Sequence, residues 1–339
     1  MLRHALTFAF SMALSMTAHA DPISDFYATR QVVIDIGYPP GGGYDAVSRL
    51  LSRHLGKHLP GHPSVIVRNM PGAGGLIATN SLFNIAPRDG TEIAILGDTV
   101  PFTPLWSKEG VQYDPTKFNY LGSLDRRQSG IVIAWNTAPV QTLDDVIKRP
   151  MTVGSTGTND ITSVVPRVLN AIIGTKFQII PGYRGIPEGS LAMERGEIDG
   201  WTGWCWPCMK NDKPDWIAGK KFNVLAQFMT ERHPELMNVP SVFDFAKTDD
   251  DRLIMRLVFN SQEMSRLVAT PPGVPKERVE ALRAAFDQTM QDPEFTGEAQ
   301  RLSIPLSPAN WTAVEAMISG AYKLRPDLLA RAAAIINGK

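Results

Sequence analysis

Two glycine-rich turns are the residues of this chain best suited to chemistry, and the chemistry is anion binding. The first turn covers residues 37–45 and holds three consecutive glycines, and the second covers residues 71–75. Each lies between a strand-like and a helix-like run. Glycine lets backbone N–H groups approach a ligand, and the N-terminus of the following helix carries partial positive charge. The sequence therefore predicts two anion-binding turns.

The two cysteines, Cys205 and Cys208, form a C-x-x-C pair. In an exported protein such a pair can form a disulfide, and its spacing also resembles a thioredoxin-type redox pair. A redox motif should open a helix after the first strands of a thioredoxin-like fold, whereas this pair lies in the second half of the chain. A structural disulfide or free thiols are favoured. A place in a pocket wall, metal chemistry and an exported thiol oxidoreductase stay open as alternatives.

The first turn also fits the loose G-x-G-x-x-A pattern of dinucleotide-binding folds. Such a fold places an acidic residue after its second strand to bind the ribose, but the predicted strand at residues 65–67 is followed by Arg68 and Asn69. Arg68 would suit a 2′-phosphate. An exported NADP-binding oxidoreductase is therefore a second alternative.

Residues for hydrolytic chemistry are scarce. The chain has no G-x-S-x-G elbow and no S-x-x-K pattern. His54 and His58 stand one helical turn apart, which permits a metal pair, but no neighbouring acid or cysteine in the sequence completes a site. We predict a solvated helix face there, and no metal, cofactor or catalytic residues.

Alternating strands and helices must position these turns. Apolar runs predict strands at residues 32–36, 65–67, 92–96, 120–124, 130–135, 151–154, 177–180 and 222–228. Helical patterns predict helices at residues 46–55, 76–85, 142–148, 161–173, 187–195, 311–322 and 326–336, and one beginning near residue 275. This alternation is typical of α/β proteins with largely parallel sheets. The polar turn at residues 155–160 repeats the strand, turn and helix order of the first unit.

The composition and the first twenty residues limit the class of protein to which this chain can belong. Hydrophobic residues make up 43% and charged residues 20%, as in ordinary globular proteins. Lys plus Arg and Asp plus Glu both number 34, so nothing indicates nucleic acid as a partner. Residues 1–20 have a basic start, an apolar stretch and the small-residue site Ala18-His19-Ala20. They predict a signal peptide removed after Ala20 and an exported protein.

Several motifs, in order along the chain, resemble the substrate-binding receptors of tripartite tricarboxylate transporters, also called Bug-type receptors. The resemblance rests on residues 38–51, 67–75, 154–157, 183–185, 196–199 and 269–275. It implies an α/β protein with the type II periplasmic binding protein fold. Each lobe would be a mixed, mostly parallel sheet flanked by helices, with a hinge between the lobes. Lobe 1 would comprise residues 21–123 plus 230–339, and lobe 2 residues 124–229.

The resemblance also implies a function and a site. Such a receptor closes on a small carboxylated solute and delivers it to membrane permease subunits; we expect a monomer and a di-, tri- or aromatic carboxylate. In this family backbone N–H groups, small hydroxyls and bridging waters, in place of Arg or Lys side chains, make most of the contacts to the carboxylate. The implied site residues are Gly42, Gly43, Tyr44, Asp45, Gly72, Ala73 and Gly74 of lobe 1, and Ser155, Thr156, Gly157, Thr158, Asn159, Tyr183, Arg184, Asp199 and Trp204 of lobe 2.

Some residues depart from the family's pattern. Tyr44 replaces a small residue, so the pocket should be narrower or stack a flat ligand. Asp45 and Asp160 stand at predicted helix starts, where they complement the helix dipole. If either carboxylate points inward, a second anionic group on the ligand is disfavoured there. Trp201 and Trp204, with Trp206, form either core or an aromatic wall, and a wall would suit an aromatic carboxylate.

Overall fold

The computed structural model of the chain describes residues 21–126, 130–228, 232–259 and 264–338. The predicted signal peptide and residues 229–231 lie outside these ranges. Within them, no helix is both long and apolar enough to cross a membrane.

Strands and helices alternate along most of the chain. The strands are β1 (Gln31–Ile36), β2 (Ser64–Asn69), β3 (Glu92–Leu96), β4 (Asn119–Arg126), β5 (Gly130–Trp135), β6 (Met151–Ser155), β7 (Phe177–Pro181), β8 (Gly200–Cys205), β9 (Phe222–Gln227), β10 (Met264–Thr270) and β11 (Ala309–Asn310). The helices are α1 (Pro22–Ala28), α2 (Gly43–His58), α3 (Leu76–Asn84), α4 (Thr103–Trp106), α5 (Leu143–Lys148), α6 (Ile161–Ile172), α7 (Ile186–Glu194), α8 (Trp206–Asp212), α9 (Pro214–Ala218), α10 (Asp249–Phe259), α11 (Lys276–Gln291), α12 (Pro293–Arg301), α13 (Trp311–Ala321) and α14 (Pro326–Ile336).

The first sheet joins strands from both ends of the chain, in the order β11-β4-β10-β3-β1-β2. β1 pairs in parallel with β2 and β3, and β10 runs antiparallel between β3 and β4. All five residues of β3 are buried, as expected for a strand covered on both faces. The carboxyl ends of β1, β2 and β3 therefore meet at one edge, where the two glycine-rich turns begin.

The second sheet is built from the middle of the chain, in the order β7-β6-β8-β5-β9. β6 pairs in parallel with β7 and β8, while β5 is antiparallel to β8 and β9. Two mixed sheets, each with helices packed on it, agree with the predicted α/β architecture. Antiparallel pairing is more extensive than a mostly parallel sheet would have, because β5 in the second sheet and β10 and β11 in the first run opposite to the other strands.

Helices cover both sheets with regular apolar faces. On α11 the face formed by Val279, Leu282, Phe286 and Met290 is buried, and it packs on α2 and β4. The last helix, α14, packs instead on α6 and α10 beside the second sheet. Its carbonyl of Ile336 accepts a hydrogen bond from Arg167 at 2.9 Å. The C-terminal segment thus contacts both halves, and the lobe boundaries at residues 124 and 229 stay predictions.

The prediction of a solvated histidine face on α2 is wrong. His54 is 9% exposed, and its Nε2 lies 2.6 Å from a carboxylate oxygen of Glu298. His58 likewise lies 2.9 Å from Asp292. Both acids come from the region of α12, more than two hundred residues away, so local sequence could not reveal them.

Candidate functional site

A cavity lies between the two sheets. Its wall consists of the β1–α2 turn, residues after β3, the β6–α6 turn, the start of α7, β8, the start of α8 and one residue of β10. The centre of a water molecule can reach about 100 Å³ of it. This volume suits a small solute.

The first glycine-rich turn lines the cavity, as predicted for Gly42, Gly43 and Tyr44. Gly42 caps α2 without a side-chain bond, so the first N–H groups of the helix stay available. A Cβ on Gly43 would lie 3.3 Å from the guanidinium of Arg266. Glycine therefore keeps the helix N-terminus and this cation close together.

Two tyrosines of this turn form the aromatic part of the first wall. The rings of Tyr38 and Tyr44 stack with centroids 4.2 Å apart. The Tyr44 hydroxyl donates to Asp98 Oδ1 at 2.6 Å, and the Tyr38 hydroxyl donates to Asp160 Oδ2 at 3.1 Å. Burial, reinforced by these carboxylates, raises the pKa of both hydroxyls well above the usual value. Both tyrosines therefore stay protonated, and their hydroxyls donate hydrogen bonds to the carboxylates.

Asp98 follows β3 and is almost fully buried. Its Oδ1 accepts from Tyr44, from Ser265 Oγ at 2.6 Å and from the backbone N–H of Arg266 at 3.3 Å. Burial raises the pKa of Asp98, although these hydrogen bonds and the Arg266 charge oppose the shift. No hydrogen bond within the described residues falls on Oδ2, which is left for a ligand.

Arg266 on β10 is the cation of the cavity. Arg266 is only 3% exposed, and its backbone φ of 57° lies in the left-handed region. Nη2 donates to Cys208 Sγ at 3.3 Å, and Nη1 lies 3.8 Å from Asp125. Nε and Nη1 donate no hydrogen bond within the described part of the chain. A buried guanidinium with unused donors is costly unless an anion completes it.

The wall opposite comes from the second sheet. Thr156 lines the cavity as predicted, and Asp160 lines it at the start of α6. Asp160 Oδ1 accepts from the backbone N–H and hydroxyl of Thr162, at 3.0 and 2.7 Å. The carboxylate thus caps its helix and also faces the cavity, which joins the two interpretations left open by the sequence.

An aromatic wall and a disulfide complete this side. Trp201 and Trp204 line the cavity, whereas the Trp206 indole donates outward to Glu235 at 2.8 Å. Cys205 and Cys208 are disulfide-bonded at the start of α8, and both line the cavity. The cysteine pair therefore forms a disulfide and is also part of the pocket wall.

The second glycine-rich turn has a different position. Gly72, Ala73 and Gly74 line a neighbouring cavity together with Tyr183 and Arg184. The turn also touches the second sheet's polar turn, since a Cβ on Gly157 would lie 2.8 Å from the backbone nitrogen of Gly74. The second turn therefore forms one of the contacts between the two halves.

Other predicted site residues have internal partners. Asp45 accepts from the N–H of Gly41 and from Arg49 and Asn69. Asp199 Oδ2 accepts from the backbone N–H and hydroxyl of Thr152. Neither lines either cavity, so a direct ligand contact for them stays a prediction.

The same holds for three residues of the polar turn at 155–160. Ser155 is fully buried and hydrogen-bonded to Ser163. The carbonyl of Thr158 accepts from Arg167, and the carbonyl of Asn159 accepts from Thr99 Oγ1 at 2.8 Å. They shape the turn and, through Asn159, tie it to the segment after β3.

Sequence reasoning missed three charged residues of the main cavity: Asp98, Asp212 and Arg266. Asp98 follows a confidently patterned strand, and an acid at the carboxyl end of a parallel strand was a usable signal. Arg266 directly precedes a short apolar run at residues 267–269. With this charge beside it, the run is too short to predict a strand from the sequence.

Comparison with known proteins places the chain in a family. Residues 47–304 match the family model described as tripartite tricarboxylate transporter family receptor. A Cupriavidus necator protein, the UPF0065 protein in the gbd 5′ region, is 28% identical over 301 residues, which cover 86% of this chain and 83% of that protein.

Solved structures share the fold. The R. palustris protein Rpa4515 with adipate has a TM-score of 0.70 at 19% identity, covering 90% of this chain and 98% of that one. The periplasmic binding protein BugD has a TM-score of 0.68, also at 19% identity and with the same coverage. The predicted periplasmic binding protein fold is therefore confirmed. By its match over most of its length, this chain belongs to the receptor family of tripartite tricarboxylate transporters.

Proposed function

We propose that this protein captures a small carboxylate-bearing solute in the cavity between its two sheets. The observation that carries the proposal is Arg266, a buried cation whose Nε and Nη1 have no hydrogen-bond acceptor among the residues that the structure describes. A carboxylate would supply both the charge and the acceptors, and charge-assisted bonds to guanidinium are strong. The N-terminus of α2 at Gly43 adds N–H donors beside it.

Contacts between the sheets support capture by lobe closure. Tyr38 donates to Asp160, Thr99 donates to Asn159, and Gly74 touches Gly157. A solute that touches both walls would stabilise this closed arrangement over an open one. The lobes would be residues 21–123 plus 230–339 and residues 124–229, hinged where strands cross between them.

The family and the ligand of a structural neighbour support the class of solute and its destination. Rpa4515 was solved with adipate, and the family is one of transporter receptors. We infer a periplasmic monomer, released by cleavage after Ala20, that delivers its solute to membrane permease subunits. Catalysis by the cysteine pair has less support, because Cys205 and Cys208 are 4% and 8% exposed.

The test is calorimetric titration of residues 21–339 with small carboxylates, together with native mass spectrometry of the protein as purified. We expect a bound carboxylate of low mass, and a loss of affinity of roughly 100-fold in Arg266→Gln, since truncating one partner of a buried charge pair costs several kcal/mol. Arg53→Gln is the matched control, because Arg53 pairs with Glu298 on the outer side.

Two results would overturn this proposal. One is carboxylate affinity in Arg266→Gln equal to that of the wild type. The other is a protein that binds no carboxylate but retains NADP, with Arg68→Gln weakening the complex. Thermal unfolding of each variant shows that the comparison is made on folded protein.

A further inference from the structure

We propose that the solute carries a cationic group as well as its carboxylate, so that the ligand class is a small amino-carboxylate. Its ammonium would lie against Asp98 and Asp160 while its carboxylate meets Arg266. This inference rests on the proposed function and narrows it, because it excludes di- and tricarboxylates as the preferred solutes.

The first argument is charge. Among the described residues that line the cavity, the ionisable acids and bases other than tyrosine are Asp98, Asp160, Asp212 and Arg266. Asp98 and Asp160 are 7% and 3% exposed, and the one guanidinium is already 3.8 Å from Asp125 behind it. Burying an excess of carboxylates is costly without a compensating cation. A dicarboxylate would add to this excess, whereas an ammonium would relieve it.

The second argument is the direction of the hydrogen bonds. The hydroxyl protons of Tyr38 and Tyr44 point at Asp160 and Asp98. Each tyrosine oxygen is then left with lone pairs only, as is Oδ2 of Asp98. These three side chains therefore offer acceptors, and a second ligand carboxylate, which is an acceptor too, would find no donor on them. An ammonium brings three N–H donors.

The third argument is proximity. Asp98 Oδ1 accepts from the backbone N–H of Arg266 at 3.3 Å, so the acceptor wall and the cation are neighbours. The rings of Tyr38, Tyr44, Trp201 and Trp204 line the same cavity, and aromatic faces attract cations. A small molecule with both charges can therefore reach both poles within the roughly 100 Å³ that water centres can enter.

The experiment is a titration of residues 21–339 with acids of equal length that differ at one end. One set is 4-aminobutanoate, 4-hydroxybutanoate and succinate, another is 6-aminohexanoate, 6-hydroxyhexanoate and adipate, and alanine with lactate gives a short pair. In at least one set we expect the amino acid to bind about 10-fold or more tightly than its partners, as for a charge-assisted bond in a buried site.

Charge-neutral variants locate the cation site. Asp98→Asn and Asp160→Asn keep the side-chain shape, and asparagine remains a good helix cap at position 160. Each should reduce the ratio of amine to hydroxy-acid affinity to within a few-fold of one, whatever its effect on the affinity for both ligands. Asp114→Asn, at an exposed turn outside the cavity, is the control and should leave the preference intact.

The outcomes separate the two proposals. If succinate, adipate or a hydroxy acid binds as tightly as the amine in every set, the amino-carboxylate inference is wrong and carboxylate capture stands. If the amine is preferred but Asp98→Asn and Asp160→Asn keep that preference, the assigned cation site is wrong. If none of the acids binds, both proposals fail.

Discussion

The two glycine-rich turns look alike in the sequence and differ in the structure. The turn at residues 37–45 opens a sixteen-residue helix and lines the main cavity with its tyrosines. The turn at residues 71–75 leads through a short 3-10 segment, Ala73–Gly75, into α3 and presses against Gly157 of the other half. One turn forms a binding wall and the other a docking contact between lobes, although both follow neighbouring parallel strands.

The difference lies in backbone conformation. Gly72, Gly74 and Gly75 all have positive φ, whereas in the first turn only Gly41 does, with a φ of 87°, and Gly42 has a φ of −95° and caps α2 in extended geometry. Glycines with positive φ and no Cβ allow the second turn to lie directly against another backbone. Glycine content alone therefore does not say which surface a turn presents.

The largest effect should come from filling the docking contact. In Gly157→Ala the new Cβ would meet the backbone of Gly74 at 2.8 Å and of Ala73 at 3.0 Å. Neither atom can turn aside, so closure is opposed, and we expect solute affinity to fall roughly 10- to 100-fold by the usual cost of overpacking. Titration of solute into the variant measures this.

Gly42→Ala is the counterpart in the first turn, since nothing lies within 4 Å of a Cβ there. It should cost no more than a few-fold in affinity. Equal losses in Gly157→Ala and Gly42→Ala would show that the two turns do not have separate roles. Gly320→Ala, also with an open Cβ position, controls for the substitution itself.

A smaller effect should follow from Tyr38→Phe, which removes the hydroxyl that the first turn extends to Asp160. The substitution leaves ring stacking on Tyr44 in place and deletes one hydrogen bond to a buried carboxylate, worth about 1.5–3 kcal/mol. We expect weaker solute binding, by about 10-fold, with a faster off-rate in stopped-flow measurements. An unchanged off-rate would mean that the bond contributes nothing to closure.

The smallest effect concerns the strands that carry both turns. Arg68 on β2 pairs with Asp35 on β1 and with Glu92 on β3, each at 2.6 Å. Burial, aided by hydrogen bonding and charge from Asp35, raises the pKa of Glu92 to about 7, against the attraction of Arg68. The folded protein then holds a proton that the unfolded chain releases above its ordinary pKa near 4.5. Glu92 therefore stabilises the folded state fully below a pH of about 4.5, and this stabilisation is lost as the pH rises through about 7.

Glu92→Gln should remove this part of the pH dependence. Relative to the variant, the wild type should lose on the order of 1 kcal/mol of unfolding free energy between pH 5 and 8, while solute affinity stays the same. Chemical denaturation at a series of pH values measures the difference. A constant difference across that range would contradict the raised pKa.

The sequence predicted most of the fold because the elements around the turns have clear patterns. The strand at 92–96 and the capped helix after Thr142 appear where the pattern places them, with Thr142 and Asp145 forming the predicted start. β10 and α10 were missed, since β10 carries Arg266 in a left-handed conformation and α10 begins with three aspartates. The charged residues of β10 and α10 obscure the periodic spacing of the apolar side chains that are buried in these elements.

The candidate site was predicted in part for a related reason. Gly42, Gly43, Tyr44, Thr156 and Trp204 lie at strand ends next to turns, so chain order places them at the cavity. Asp98, Asp212 and Arg266 join them only through tertiary pairing of distant segments. Whether a particular acid faces the cavity or its own helix depends on side-chain direction, and Asp160 does both.

Because Cys205 and Cys208 form a disulfide, the complete cavity wall depends on the redox state of the compartment that holds the protein. Thiols stay reduced in the cytoplasm and pair in oxidising compartments. A newly made chain in a reducing compartment would lack this link at the start of α8, where Cys208 accepts from the guanidinium of Arg266. Under the export proposed above, oxidation would complete the cavity wall only after the chain leaves the cytoplasm, so a precursor with free thiols should bind the solute more weakly than the oxidised protein.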